Sequence, residues 1–162
     1  MPTIIGIDPG LSGALFIWGI KDQPSISYDM PTHAVERGGK KKRELDRTAL
    51  AAMLRGWGSP VAYVEQVGAM PGQGVTSMFS FGKSYGTVLG ILAAYEIPTF
   101  HVTPQAWRKA LQVRPGKDGS RLRASELMPQ LAGMWPLKKH DGRAEAALIA
   151  YYGLQQQRTT AT

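Results

Sequence analysis

Cysteine is absent from the 162 residues. That excludes disulfides and thiolate metal sites, and with them the common structural zinc sites. It also agrees with a reducing cytosol. No apolar stretch approaches the roughly 18 residues a membrane-crossing helix needs, so no membrane partner is expected. The N-terminus lacks a basic segment followed by a long apolar run and a small-residue cleavage site, and no secretory signal is expected. A cytoplasmic setting follows as the expectation. There is no internal repeat and no low-complexity tract.

Acidic residues are outnumbered. Twelve Asp and Glu face nineteen Lys and Arg, leaving a net charge of +7 and a pI near 9.8. A surplus of this size points to a polyanionic partner, most often nucleic acid. Apolar residues make up 43 % and charged residues 19 % of the chain, the balance of a globular protein rather than a disordered one. The length suits one domain with a real core.

Along the chain, residues 3–7 form an apolar, β-branched run that ends on Asp8. Pro9-Gly10 and Ser12-Gly13 then turn the chain into a second run, Ala14 to Trp18, so the two read as a hairpin. Ser25 to Asp29 is a third strand. The segment from Glu36 to Arg43 is basic and split by Gly38-Gly39, which reads as an exposed loop or hairpin tip. Asp46 then caps a helix with Leu50, Met53, Leu54 and Trp57 at helical spacing. Val61 to Glu65 is a fourth strand, again ending on an acid. A glycine-rich loop leads into a long helix from Gly74 to about Tyr95, and residues 98–102 form a fifth strand. Thr103-Pro104 is a helix start, a capping hydroxyl followed by proline at the first helical position. A helix through Leu127 should be distorted or ended by Pro129. The last helix is expected from about Asp141 to Leu154, with a frayed polar tail after it. The order predicts an α/β fold, a mixed five-stranded sheet with three antiparallel strands first and parallel strands after, flanked by helices. That is the RNase H-like order.

Two acids, Asp8 and Glu65, stand at strand ends, where open α/β sheets place their sites. Asp141 and Glu145 lie at the start of the last helix, and their i, i+4 spacing puts both on one face. Like charges so placed repel, and a divalent cation would offset the repulsion directly. Hydrolysis of a phosphodiester needs an activated water and a stabilised leaving oxygen, which hard cations on carboxylates supply. Each acid alone has a plain structural explanation: a turn, an ion pair, a helix cap or an exposed helix face. The pattern of all four is more specific than its parts.

Several stretches resemble the RuvC-type Holliday junction resolvases of the RNase H-like superfamily, in particular the compact phage and prophage forms. They are Gly6-Ile7-Asp8-Pro9-Gly10-Leu11-Ser12-Gly13, Val64-Glu65-Gln66-Val67, Thr103-Pro104-Gln105-Ala106-Trp107-Arg108-Lys109, and Asp141-Gly142-Arg143-Ala144-Glu145-Ala146-Ala147-Leu148. They fall in the expected order and cover nearly the whole chain. The resemblance implies a single nuclease domain over residues 1–154, with 155–162 as a tail. It also implies a homodimer that nicks opposed strands of a four-way DNA junction, with Mg2+ as cofactor and Mn2+ as substitute. By the same resemblance Asp8, Glu65, Asp141 and Glu145 are metal ligands. Lys117 is the basic residue near the scissile phosphate, with Lys109 as a second candidate.

The spacing of the last two acids departs from the bacterial pattern, where the final ligands stand three residues apart, so His140 competes with Asp141 as the ligand. Gly68 stands where those enzymes carry an aromatic wedge, which leaves Met70, Phe79 or Phe81 for that role. Lys40, Lys41, Lys42 and Arg43 are the expected phosphate contacts. Other expectations compatible with the residues are an RNase H-like nuclease acting on RNA or other branched DNA, a junction-binding protein that does not cut, and an actin-like or sugar-kinase-type ATPase, whose first phosphate loop also reads Gly-Ile-Asp-x-Gly. The ATPases need two lobes and a second phosphate loop, which this chain lacks.

Overall fold

The computed structural model describes residues 1–19 and 23–161; Thr162, the last residue of the polar tail, lies outside them. Strand β1 (Thr3–Asp8) is central in a five-stranded sheet. It pairs antiparallel with β2 (Ala14–Ile17), which pairs antiparallel with β3 (Ile26–Asp29). On its other side β1 pairs parallel with β6 (Pro60–Glu65), which pairs parallel with β7 (Thr99–Val102). The expected mixed sheet is therefore present, in the order β3-β2-β1-β6-β7.

The central strands are apolar on both faces because both faces are covered. Ile4, Phe16 and Tyr63 face one layer, whose buried partners include Trp107 of α3 (Pro104–Ala110), Ala124 of α4 (Gly119–Leu127) and Leu148 of α5 (Asp141–Thr160). Ile5, Ile7, Leu15 and Val64 face the other, with Leu50 and Leu54 of α1 (Arg47–Leu54) and Val88 and Leu92 of α2 (Val75–Ala94). Asp46 caps α1, accepting from the Ala49 amide at 2.9 Å, and Thr103 caps α3, accepting from the Ala106 amide at 3.2 Å. As expected, α4 stops before Pro129, and short 3-10 turns (Pro129–Met134 and Lys138–His140) lead into α5.

Helix α5 packs on β1 with almost no separation. A Cβ on Gly6 would stand 2.1 Å from the Ala146 carbonyl oxygen, and one on Gly142 would stand 2.4 Å from that of Ser12. The two glycines let the start of α5 lie directly against the end of β1 and the turn that follows it. Arg143 ties α5 to β3 by donating to both Asp29 carboxylate oxygens, at 2.6 and 2.7 Å.

The basic segment between β3 and α1 is a hairpin of its own, outside the main sheet. Strand β4 (Thr32–Arg37) pairs antiparallel with β5 (Lys40–Leu45). Gly38 and Gly39 form its two-residue tip with φ of 58° and 70°. That conformation suits glycine and gives a turn whose twist matches the strands. Helix α5 runs past Leu154 to Thr160, six residues beyond the expected end. Gln157 holds this extension by donating to the Tyr63 hydroxyl at 2.9 Å. Among the described residues no helix is long and apolar enough to cross a membrane.

Candidate active site

Parallel pairing of β1 and β6 runs through Ile7 and Val64, so Asp8 and Glu65 emerge side by side at the same sheet edge. The close seat of α5 brings Glu145 to them. Asp8 is half-buried, and one carboxylate oxygen accepts from the Gly10 amide at 3.3 Å. Loss of water around it, with the charges of Glu145 and Glu65, pushes its carboxyl up to about 7; the Gly10 amide and Arg108 pull the other way. Burial also raises the Glu65 carboxyl, and Glu145 adds to the rise. The Trp107 indole N–H, donating to Glu65 Oε2 at 2.8 Å, and the Arg108 charge oppose it.

Each of the other acids is engaged by donors from neighbouring helices. Glu145 Oε1 accepts from Arg108 Nη2 and from the buried Ser120 hydroxyl, the latter at 3.0 Å. Asp141 accepts from Arg121 Nε at 2.6 Å, and Arg121 also pairs with Asp118. The i, i+4 repulsion along α5 is thus offset by two guanidinium groups. His140 Nδ1 accepts from the Leu137 amide at 3.2 Å, and the charges acting on the ring are those of Arg143, Lys139, Asp29 and Arg121.

Asp8 is held away from water beside two further carboxylates, and an all-oxygen donor set suits a hard cation. The side-chain orientations do not yet converge on one. Among the described residues no three of His, Asp and Glu are grouped closely enough to hold a metal ion. The reason is visible in the contacts: Glu145 is turned to Arg108 and Ser120, Glu65 to Trp107, and Asp141 to Arg121.

Lys117 is exposed in the loop before α4, three residues from Ser120, and Lys109 is exposed on the last turn of α3. Lys40, Lys41 and Lys42 are exposed along β5. Arg43 reaches back to the acidic edge of the sheet, donating to the Ser12 hydroxyl at 3.0 Å. Phe79 is 72 % exposed and borders a cleft with Lys42, Arg43 and Lys83. Phe81 is half-buried and lines a separate cleft with Gln66, Met70 and Thr103, just beyond Glu65. Trp107, Arg108, Ser120 and Arg121 carry no signal in the sequence that assigns them to the site. Trp107-Arg108 lies within a resolvase-like motif, but a charged residue on a short helix reads as solvated surface until the tertiary contact is seen.

No family model matches the chain. It is 32 % identical over 149 residues to the chloroplastic Holliday junction resolvase MOC1 of Chlamydomonas reinhardtii, an alignment that takes in 78 % of this chain and 17 % of that protein. The chain thus spans about a sixth of the length of the curated relative it matches. Among solved structures it superimposes on Thermus thermophilus RuvC with a TM-score of 0.57 at 16 % identity, covering 95 % of this chain and 96 % of that one. The T. thermophilus RuvC complex with a Holliday junction substrate gives 0.56 at 16 % identity, covering 97 % and 96 %. The chain has the RuvC fold, an RNase H-like mixed sheet with Asp8, Glu65 and the start of α5 gathered at one edge.

Proposed function

We propose that this chain is a divalent-metal-dependent endonuclease that resolves four-way DNA junctions, with magnesium as its natural metal and manganese as a substitute. The observation that carries the proposal is the half-buried Asp8, pushed up to about 7 with Glu65 and Glu145 acting on it at the end of a RuvC-like sheet. Three carboxylates at one sheet edge, with a single guanidinium acting on them, suit a bound cation better than any structural role. Asp8, Glu65 and Glu145 are the proposed ligands, and Asp141 joins them on release from Arg121. A cation held there would supply water activation and charge stabilisation for phosphodiester hydrolysis.

The chain's own residues supply the rest. Trp107 orients Glu65, and Ser120 orients Glu145. The hairpin lysines Lys40, Lys41 and Lys42, with Arg43, take phosphates of the duplex arms, and Lys109 and Lys117 take those nearer the acids. Phe79 or Phe81 supplies the flat apolar surface against which unpaired bases at the branch point rest. Two copies of the chain related by a two-fold axis match the symmetry of the junction. The reducing, DNA-containing cytosol is the proposed setting, in keeping with the absence of cysteine.

Purified protein with magnesium should cut a labelled four-way junction in preference to duplex and RNA–DNA hybrid. Asp8→Asn and Glu65→Gln should each lower the cleavage rate by about a thousandfold or more while junction binding stays within a few-fold, because each substitution removes a ligand charge and little surface. Normal cleavage by either variant would refute the assignment of the site.

A further inference from the structure

We propose that Arg108 is a built-in counter-ion of the acidic centre. It holds Glu145 while no divalent cation is bound, competes with that cation, and is released from Glu145 when the cation binds. The inference rests on the metal-dependent function proposed above and names a device within that site.

Three observations meet at Arg108. Its Nη2 donates to Glu145 Oε1, the oxygen that also accepts from Ser120, so that oxygen is already occupied by two donors. Its charge also acts on Asp8 and Glu65, which places one guanidinium within electrostatic reach of three carboxylates. Finally, its guanidinium carbon lies 4.7 Å from the centre of the Trp107 ring, the same ring whose N–H holds Glu65. Adjacent residues of α3 therefore set the orientation of two carboxylates at once.

The failure of Glu145 and Glu65 to converge with Asp8 follows from this arrangement. A planar guanidinium matches carboxylate geometry and cannot lose its proton in a protein. It therefore keeps its charge at any working pH and offsets part of the charge of the centre, but only by drawing Glu145 toward α3. A divalent cation placed among the same acids would meet a like charge and a carboxylate turned aside. The Arg108 side chain is 38 % exposed, against 21 % for Glu145, so it has an outward path once displaced. A guanidinium released at that edge of the sheet faces the place where a phosphate must arrive, and Arg–phosphate pairing is strong and directional. Metal binding and substrate binding would then be coupled through one side chain: the cation frees the arginine, and the phosphate captures it.

Calorimetric titration of the DNA-free protein with Mn2+ tests this. Arg108→Gln should bind Mn2+ roughly tenfold more tightly than wild type, since it removes one competing charge and frees Glu145. Arg108→Lys, which keeps a charge there, should stay within about threefold of wild type. In the wild-type chain, the Arg108 Nε–H signal in NMR should move as diamagnetic Mg2+ is added, which gives a readout independent of whether the Gln variant folds. Equal or weaker Mn2+ binding by a folded Arg108→Gln, or an Arg108 signal unmoved at saturating Mg2+, would overturn the counter-ion while leaving the nuclease proposal standing. A wild-type chain that binds neither Mn2+ nor Mg2+ would overturn both.

Discussion

At Asp8, burial and two neighbouring carboxylates act in the same direction. In the unfolded chain its carboxyl ionises near 3.8, and in the fold near 7. Between those values the folded state holds a proton the unfolded state has lost, so stability falls as pH rises through this window and stays low above it. Each pK unit is worth about 1.4 kcal/mol, and the shift corresponds to roughly 2–4 kcal/mol at pH 8. Asp8→Asn removes the penalty. The metal-free variant should melt about 5–10 °C above metal-free wild type at pH 8 and close to it at pH 4. Calorimetric melts across that range check this, and a gap that does not widen with pH would contradict burial and carboxylate repulsion as the cause. Asp8 and Glu65 were legible in the sequence because an acid ending an apolar strand is a pattern of neighbours in the chain. Arg108 was not, because its partner Glu145 is 37 residues away and only the seat of α5 on β1 brings them together.

Among the elements, the β4–β5 hairpin is the one whose place in the fold asks for a partner. Among the described residues its strands pair only with each other; it carries Lys40, Lys41, Lys42 and Arg43 along one strand and touches the site through the Arg43–Ser12 hydrogen bond. Glu44, also on β5, pairs across the hairpin with Arg37 at 2.8 Å and ties it to Lys83 of α2 at 3.4 Å. Replacing Lys40, Lys41, Lys42 and Arg43 with alanine should weaken binding of every branched substrate by about tenfold or more at low salt. The slope of log K against log salt should fall by about one unit for each phosphate no longer neutralised. Cleavage-site preference should persist, because phosphate contacts carry no base information. Fluorescence anisotropy over a salt series measures this, and an unchanged slope would move the DNA contact elsewhere. Most elements could be read from spacing: the caps at Asp46 and Thr103, the strands, and the break before Pro129. The last turns of α5 could not, since residues 155–160 are polar on every side and are fixed by a distant tyrosine. Leu92 of α2 is wholly buried against the sheet. The large exposed apolar side chains of α2 are Val75, Met78 and Phe79, at its N-terminal end. A stripe of apolar residues shows that a helix has an apolar face, but only the packing shows which turns of it are covered.

For the whole molecule, the fold sets one acidic centre, among the described residues, beside a basic surface, in a protein of net charge +7. A four-way junction needs two nicks in opposed strands, so the proposal requires two copies acting on one substrate. The most direct test is cleavage of a supercoiled plasmid that extrudes a cruciform, with magnesium, with calcium and with chelator. With magnesium, linear plasmid should appear with paired nicks placed symmetrically about the junction and little free nicked circle. Calcium should support binding without cutting, since it takes more ligands in looser geometry, and chelator should abolish cutting. Cleavage that persists in chelator, or that yields only singly nicked circles with no dependence on the cruciform, would contradict the account.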